Sequence, residues 1–144
     1  MAIFAEISMK ILTRYFIYLS FKGTSYHGWQ LQPGSLTVQK MLNDAMSTIL
    51  GEKISVTGAG RTDAGVHASF FCAHFDSLLP DLDKRKNLIF RLNRYLPPDI
   101  SVTGIRKVRP DANARFSAIS RTYMYRISRA KDPFGTETGW YVHG

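Results

Sequence analysis

The chain has 144 residues and carries 19 Lys and Arg against 11 Asp and Glu, which gives a net charge of +8. That length suits one domain with its own core, the single cysteine (Cys72) excludes an internal disulfide framework, and no apolar run approaches the roughly 18 residues of a membrane span. The start MAIFAEISMK has Glu6 in its apolar run and no basic segment before it, so it is a poor signal peptide and we expect a cytoplasmic protein.

The first half of the chain predicts a strand, a helix and a second strand. Residues 14–21, RYFIYLSF, are aromatic and β-branched, which favours a strand. A helix is predicted to begin after Thr37, a candidate cap, and to end at Gly51. Residues 53–57 predict a short strand. The apolar residues of the helix have the spacing of one buried face, at positions 38, 41, 42, 45, 46, 49 and 50.

The second half predicts a strand, a helix and two more strands. Residues 66–75 favour a strand that follows a glycine-rich loop. Asp81 or Asp83 can cap the second helix, and Pro97 and Pro98 end it. The two further strands are predicted over residues 100–108 and 121–129.

The order β-α-β-β-α-β is typical of a ferredoxin-like α+β domain, in which both helices cover one face of an antiparallel sheet. We assign residues 14–110 to this domain, after an N-terminal extension over 1–13. Residues 111–144 add the strand at 121–129. The open face of such a sheet is free to bind a ligand, but the fold does not fix the function.

The loop at residues 58–68, GAGRTDAGVHA, places Arg61 and Asp63 among three glycines. Glycine-rich loops often bind phosphates, but here the sixth position of a dinucleotide fingerprint is Asp63, an anion where an anion would bind, and no helix pattern follows. The plainest interpretation is a turn in which the Asp63 side chain bonds nearby backbone N–H groups and Gly65 takes a positive φ.

A metal site near this loop is not supported by the sequence. His67, Cys72 and His74 lie close together in the chain. On a strand, however, His67 points away from the other two, and their spacing matches no zinc signature. We therefore expect no metal, a core position for Cys72, and packing or hydrogen bonding for His67.

The whole loop sequence changes this interpretation. GRTDAGVHA resembles the catalytic motif of the tRNA pseudouridine synthase A family, and the resemblance runs from about residue 14 to the end. The other stretches that carry it are GTSYHGWQ at 23–30, TVQ at 37–39, LPPDI at 96–100, ARFSA at 114–118 and RTYMY at 121–125.

The resemblance implies isomerisation of uridine to pseudouridine. The N1–C1′ bond breaks, the uracil turns and C5 joins C1′, without hydrolysis or redox change, so no cofactor is implied. Asp63 would act either as a nucleophile at C1′ or as a base toward a glycal intermediate, and both roles require the ionised carboxylate. Arg61 would pair with Asp63, and would fill the space that the extruded uridine leaves.

The resemblance also implies how RNA is bound. Tyr123 matches the tyrosine that packs against the target base, and on a strand it would share one face with Arg121. Arg115 and His67 complete the predicted substrate-binding set. Candidates for phosphate contacts are the basic residues Arg106, Lys107, Arg109, Arg115, Arg126 and Arg129.

The family implies a substrate and a larger protein than this chain. Its substrate would be the tRNA anticodon stem-loop, at tRNA positions 38–40, and its members are homodimers with a second ferredoxin-like half that closes the cleft. We expect this chain to be an N-terminal portion that folds alone and forms very little pseudouridine. We also expect it to associate, because the strand at 121–129 is left as an open sheet edge.

A second interpretation is a ferredoxin-like module that binds RNA without chemistry. Residues 101–144 hold eight Lys and Arg against three Asp and Glu, or +5, and residues 1–100 hold eleven against eight, or +3. This excess favours a polyanionic partner. The ribonucleoprotein consensus is absent from the sequence, which argues against this alternative.

Overall fold

A computed structural model describes residues 11–144, so the expectations for residues 1–10 lie outside the described part. Within it, four strands form one antiparallel sheet, and two helices and a separate two-stranded pair complete a mixed α/β fold. In chain order the elements are β1 (Thr13–Phe21), α1 (Val38–Leu50), β2 (Thr57–Gly58), β3 (Ala68–Ser77), α2 (Leu88–Tyr95), β4 (Ile100–Lys107), β5 (Ile127–Ser128) and β6 (Trp140–Tyr141). The order of strands across the main sheet is β2-β3-β1-β4.

One apolar core joins one face of the sheet to both helices. Alternate residues of β1 are fully buried, among them Tyr15, Ile17 and Leu19, as the two-residue period of a strand requires. They pack in one cluster with Leu42 of α1 and Leu92 of α2. The other face of the sheet, which we call the open face, is not covered by either helix.

The predicted helix at Val38–Leu50 is confirmed together with both of its ends. The Thr37 side chain accepts a hydrogen bond from the backbone N–H of Lys40 at 3.3 Å, which satisfies one of the donors that a helix start leaves free. Gly51 takes a left-handed φ of 65° and ends the helix.

The second helix begins later than its acidic caps predicted. Leu82–Lys84 forms a separate 3-10 turn with Leu82 buried, and Asp81 lies in the left-handed region. The α-helix starts only after Asn87. Neither Asp81 nor Asp83 caps α2, because the 3-10 turn that buries Leu82 separates both aspartates from the start of the helix.

The strand predicted over residues 53–57 is shifted to Thr57–Gly58. Ile54 and Val56 are buried as a strand would bury them, but their N–H groups donate to side chains of α1. Ser47 Oγ accepts from Ile54 at 2.9 Å, and Asn43 Oδ1 accepts from Val56 at 2.9 Å. Helix side chains have taken the place of a strand partner here.

The strand predicted over residues 121–129 is wrong for all but its end. Residues 121–126 have no regular secondary structure, and Ile127–Ser128 pairs in parallel with Trp140–Tyr141 outside the main sheet. The side chains of residues 121–126 are exposed. A segment with a strand pattern forms a strand only where another strand pairs with it and its apolar side chains are buried. Within residues 11–144, neither condition is met for residues 121–126. The edges of the main sheet are β2 and β4.

Among residues 11–144, no helix is long and apolar enough to cross a membrane.

Candidate active site

A tight turn presents Asp63 at the surface. The N–H of Val66 donates to the carbonyl of Asp63 at 3.2 Å, and Gly65 has a φ of +80°. These features define a turn with glycine at its third position, which only glycine adopts readily. The predicted positive φ of Gly65 is confirmed, and Asp63 is left with an exposed side chain.

A second loop, residues 23–29, presses against the back of this turn at the level of the main chain. A Cβ atom at Gly28 would overlap the carbonyl oxygen of Thr62, and one at Gly23 would overlap that of Val66. The N–H of Gly65 donates to the carbonyl of Tyr26 at 3.2 Å. Only glycine permits approaches this close, so the GTSYHGW stretch supports the turn.

Trp29 forms the floor beneath the loop. It is 1% exposed, and its ring centroid lies 4.5 Å from that of Phe71. Its backbone N–H donates to the Thr62 hydroxyl at 3.1 Å. A Cβ at Gly58 would overlap the Trp29 ring, so the first glycine of the loop exists to admit this side chain.

Asp63 and Arg61 share an open cavity of about 470 Å³. Its wall is otherwise polar or neutral and comprises His27, Gln30, Leu31, Gln32, Thr62 and Ala64. Among the ion pairs of the described residues, none joins Arg61 to Asp63. The pairing hypothesised from the sequence is therefore not present, and both charged groups face the cavity separately.

Arg115 meets Arg61 at a smaller cavity of about 150 Å³ next to the loop. Arg61 and Gln30 line both cavities, so the two cavities are neighbours. No carboxylate is among the residues that line the smaller cavity, which otherwise comprise Gln30, Gln39, Thr57, Gly58 and Gly60. This arrangement suits an anion, and it brings two of the predicted residues together.

The Arg121 side chain forms hydrogen bonds within the protein. Its guanidinium donates to the carbonyl of Ala59 at 2.6 and 3.1 Å and to the carbonyl of Arg115 at 2.9 Å. It thereby joins the segment around Arg115 to the start of the loop at residues 58–68. Its role in this structure is to hold the loop, which differs from the substrate contact predicted for it.

His67 also holds segments together and does not face the cavities. Its Nδ1 accepts the N–H of Gly23 at 2.9 Å, and its Nε2 donates to the carbonyl of Glu137 in a short contact. Both ring nitrogens are therefore occupied. Lys22 pairs with the Glu137 carboxylate beside this contact. The hydrogen-bonding interpretation of His67 fits these contacts, and substrate binding by His67 stays a prediction.

Tyr123 is 67% exposed and lies in the irregular segment after Arg121. It lines neither of the two cavities. Because residues 121–126 do not form a strand, the predicted alternation with Arg121 has no structural basis. Its ring is nevertheless free to stack.

Comparison with known proteins gives the chain a family. No family model matches it. It is 52% identical over 133 residues to tRNA pseudouridine synthase A of Bacteroides thetaiotaomicron, which covers 92% of this chain and 49% of that protein. The namesake of Parabacteroides distasonis is 46% identical over 136 residues, covering 92% and 52%. This chain belongs to the tRNA pseudouridine synthase A family.

Similarity extends to a distant member of the family. The tRNA pseudouridine synthase A of Aquifex aeolicus is 40% identical over 133 residues, covering 91% of this chain and 54% of that protein. The chain spans about half the length of the curated relatives it matches, and it matches their N-terminal portion.

Sequence reasoning missed a polar cluster of this family member on the open face of the sheet. Arg14 and Asp76 form a two-pronged ion pair at 2.8 and 2.9 Å across β1 and β3. Arg14 also donates to the carbonyl of Ala112 at 3.0 Å, and His74 Nδ1 accepts the N–H of Ala114 at 3.0 Å. The partners are 40 or more residues apart in sequence, so no local pattern could reveal them.

The charges of this cluster shift its pKa values. Burial lowers the pKa of His74 below its ordinary 6.5, the charge of Arg14 adds to that effect, and Asp76 opposes it. The hydrogen bond from Arg14 lowers the pKa of Asp76 below its ordinary value, against the opposing effect of burial.

Acidification should therefore destabilise the chain in two ranges. A depressed histidine pKa means that the unfolded chain binds a proton first, so stability is complete above pH 6.5 and is lost as the pH falls through the folded value. The Asp76 contribution is lost at lower pH, below its ordinary 3.8. Urea unfolding measured from neutral to acidic pH should show the first loss in the native chain and a smaller one in His74→Asn. Identical pH dependence in the two proteins would contradict the assignment to His74.

Proposed function

We propose that this chain supplies the catalytic carboxylate of a tRNA pseudouridine synthase, which isomerises uridine to pseudouridine in the anticodon stem-loop. The observation that carries the proposal is Asp63, an exposed carboxylate on a turn held by main-chain contacts, facing an open cavity in a member of this family. Such a placement leaves the carboxylate free to meet a base that has left its stack.

The reaction asks for one carboxylate and no cofactor. As a nucleophile, Asp63 would attack C1′ while the N1–C1′ electrons leave with the uracil, and C5 of the turned base would then displace the carboxylate. As a base, it would remove the proton from C2′ while the N1–C1′ electrons leave with the uracil, which gives a glycal; C5 would then add to C1′ as C2′ takes the proton back. Both routes end when C5 loses its hydrogen as a proton. Arg61, which lines both cavities, would occupy the gap left by the base.

The smaller cavity is suited to a phosphate of the RNA backbone. Arg61 and Arg115 supply two cations there, and no carboxylate lines it. Tyr123, with its exposed ring, would stack on the extruded base, a contact worth about 1–3 kcal/mol. The net charge of +8 supports association with a polyanion.

We further propose that the fold is ferredoxin-like. The chain order β1-α1-β2-β3-α2-β4 and the sheet order β2-β3-β1-β4 support this arrangement, as does the single core shared by the two helices. A cytoplasmic location and a homodimer of the whole protein complete the proposal, in line with the resemblance to the family.

Release of tritium from uridine labelled at C5 in tRNA tests the function, because only bond formation at C5 expels that hydrogen. The assay should compare the 144-residue chain with the same chain joined to the remaining half of the Bacteroides thetaiotaomicron relative. We expect release from the joined protein and very little from the chain alone, because Asp63 stands in an open cavity. RNA binding without release by the joined protein would favour the non-catalytic RNA-binding module.

Binding of RNA should weaken steeply with salt. If about six phosphates are neutralised, the logarithm of the affinity should fall against the logarithm of salt concentration with a slope near −5 for a duplex stem. Arg115→Ala should reduce that slope by about 1, since one phosphate contact is lost. Arg91→Ala, an exposed arginine on α2, serves as the matched control and should leave the slope unchanged. A flat response in the native chain would remove the nucleic-acid interpretation.

A further inference from the structure

The segment of residues 112–121 is fixed to the domain at both ends. At its start, Arg14 and His74 on the open face of the sheet bond the backbone of Ala112 and Ala114. At its end, Arg121 bonds the carbonyl of Ala59 at the entrance to the catalytic loop. We propose that Arg14, Asp76 and His74 are positioning residues, which hold Arg115 beside Arg61 for contact with the RNA phosphate; this inference rests on the proposed function.

The first step is the ion pair that orients Arg14. Its Nε and Nη2 face the two oxygens of Asp76 at 2.8 and 2.9 Å. This two-pronged geometry fixes the plane of the guanidinium. The remaining nitrogen, Nη1, is directed at the carbonyl of Ala112 at 3.0 Å. Asp76 thus acts on the 112–121 segment through Arg14.

The second step is the imidazole of His74. The side chain is 6% exposed although it lies on the face of the sheet away from the helices, and Ala114 beside it is 5% exposed. Nδ1 must carry a lone pair to accept the Ala114 N–H at 3.0 Å. The charged groups that act on this ring are Arg14 from β1 and Asp76 from its own strand. A buried N–H left without its acceptor would cost stability, so this bond fixes Ala114.

The third step connects Ala114 to the site. Arg115 is the next residue, and its side chain lines the smaller cavity together with Arg61. Its own carbonyl accepts a hydrogen bond from Arg121 at 2.9 Å. The backbone of Arg115 is therefore held on both sides, by His74 before it and by Arg121 after it. Without the His74 contact, Arg115 would keep its charge but lose the anchor on the residue before it, so its position would be less well fixed.

A double-mutant cycle on RNA binding by the 144-residue chain tests the proposal. The probe is a labelled RNA stem-loop carrying the anticodon-arm sequence of a bacterial tRNA. Arg115→Ala and His74→Leu should each weaken binding by about tenfold, the range for a lost charged hydrogen bond. In the Arg115→Ala background, His74→Leu should have no further effect, because His74 acts through Arg115. His74→Asn should restore binding, since its Oδ1 can accept the Ala114 N–H in place of Nδ1.

A second measurement needs no RNA. Hydrogen exchange at the Ala114 amide should accelerate in His74→Leu and remain slow in His74→Asn. Should His74→Leu fail to fold, Arg14→Lys takes its place in the cycle, because lysine keeps the charge but cannot bond both Asp76 and Ala112 as the fork does.

The outcomes separate the two proposals. If the native chain binds RNA and the two substitutions weaken binding additively, the positioning role is overturned while the proposed function stands. An unchanged affinity in His74→Leu, or slow Ala114 exchange in that variant, overturns it as well. Absence of RNA binding by the native chain overturns the proposed function, and this inference with it.

Discussion

Replacing Asp63 with Asn should abolish pseudouridine formation and leave RNA affinity nearly intact. In the proposed reaction the carboxylate acts on the bonds of the nucleoside, and an amide is neither a nucleophile nor a base, so we expect a loss of at least about a hundredfold. The side chain is exposed and belongs to no ion pair of the described residues, so its replacement should not disturb the fold. The measurement is tritium release by the chain joined to the second half of a relative, with RNA affinity determined in parallel.

The matched control is Asp81→Asn. Asp81 is another exposed aspartate, it lies in a left-handed conformation that asparagine also adopts, and it is remote in sequence from the loop. Its replacement should leave turnover unchanged. Loss of RNA binding with residual turnover in Asp63→Asn would reverse the assignment and make Asp63 a binding residue.

Trp29→Ala should cost about 3–5 kcal/mol of the free energy of unfolding, the range for removing a buried large aromatic side chain. Trp29 is 1% exposed and contacts the rings of Phe21 and Phe71, so its removal leaves a cavity beneath the loop at residues 58–68. Urea unfolding followed by circular dichroism measures the change. Susceptibility of the loop to proteolysis should rise in parallel, because its floor is gone.

The chain contains its own control for this substitution. Trp140, the other tryptophan, is 67% exposed, and Trp140→Ala should change the free energy of unfolding by no more than about 0.5 kcal/mol. A similar cost for both substitutions would mean that the aromatic cluster around Trp29 does not carry the stability assigned to it.

The sequence predicted those elements whose signals are local. The helix at Val38–Leu50 was predicted with both ends, because Thr37 and Gly51 act on the backbone within one turn of themselves. Gly65 was predicted for the same reason. The second helix was predicted with the wrong cap, since the turn before it depends on a distant contact: the N–H of Leu82 donates to the hydroxyl of Tyr15, 67 residues away, at 3.4 Å.

Strands and side-chain roles depend on distant partners, and there the predictions were less accurate. Residues 121–126 have a strand composition, but within residues 11–144 no strand lies beside them to pair with. The resemblance to the family singled out Asp63, Arg61 and Arg115, and the structure places all three on the walls of the two cavities, while their roles stay predictions. The resemblance could not reveal that the Arg121 guanidinium donates to two backbone carbonyls. Nor could it reveal that Arg14 and His74 bond the backbone of the segment before Arg115.

Because the contacts behind the Asp63 turn are made by the main chain, the residues that fix the shape of the turn differ from those whose side chains it exposes. The turn is held by carbonyl and amide groups that every residue type shares, against glycines that no other residue can replace. The outward side chains at positions 61, 63 and 64 take no part in that support. Replacing these side chains leaves the main-chain contacts of the turn in place. A methyl group added at Gly23 or Gly28 would displace the turn without changing any of the exposed side chains. Substitutions that change the exposed side chains and substitutions that destabilise the turn therefore fall at different positions of the chain.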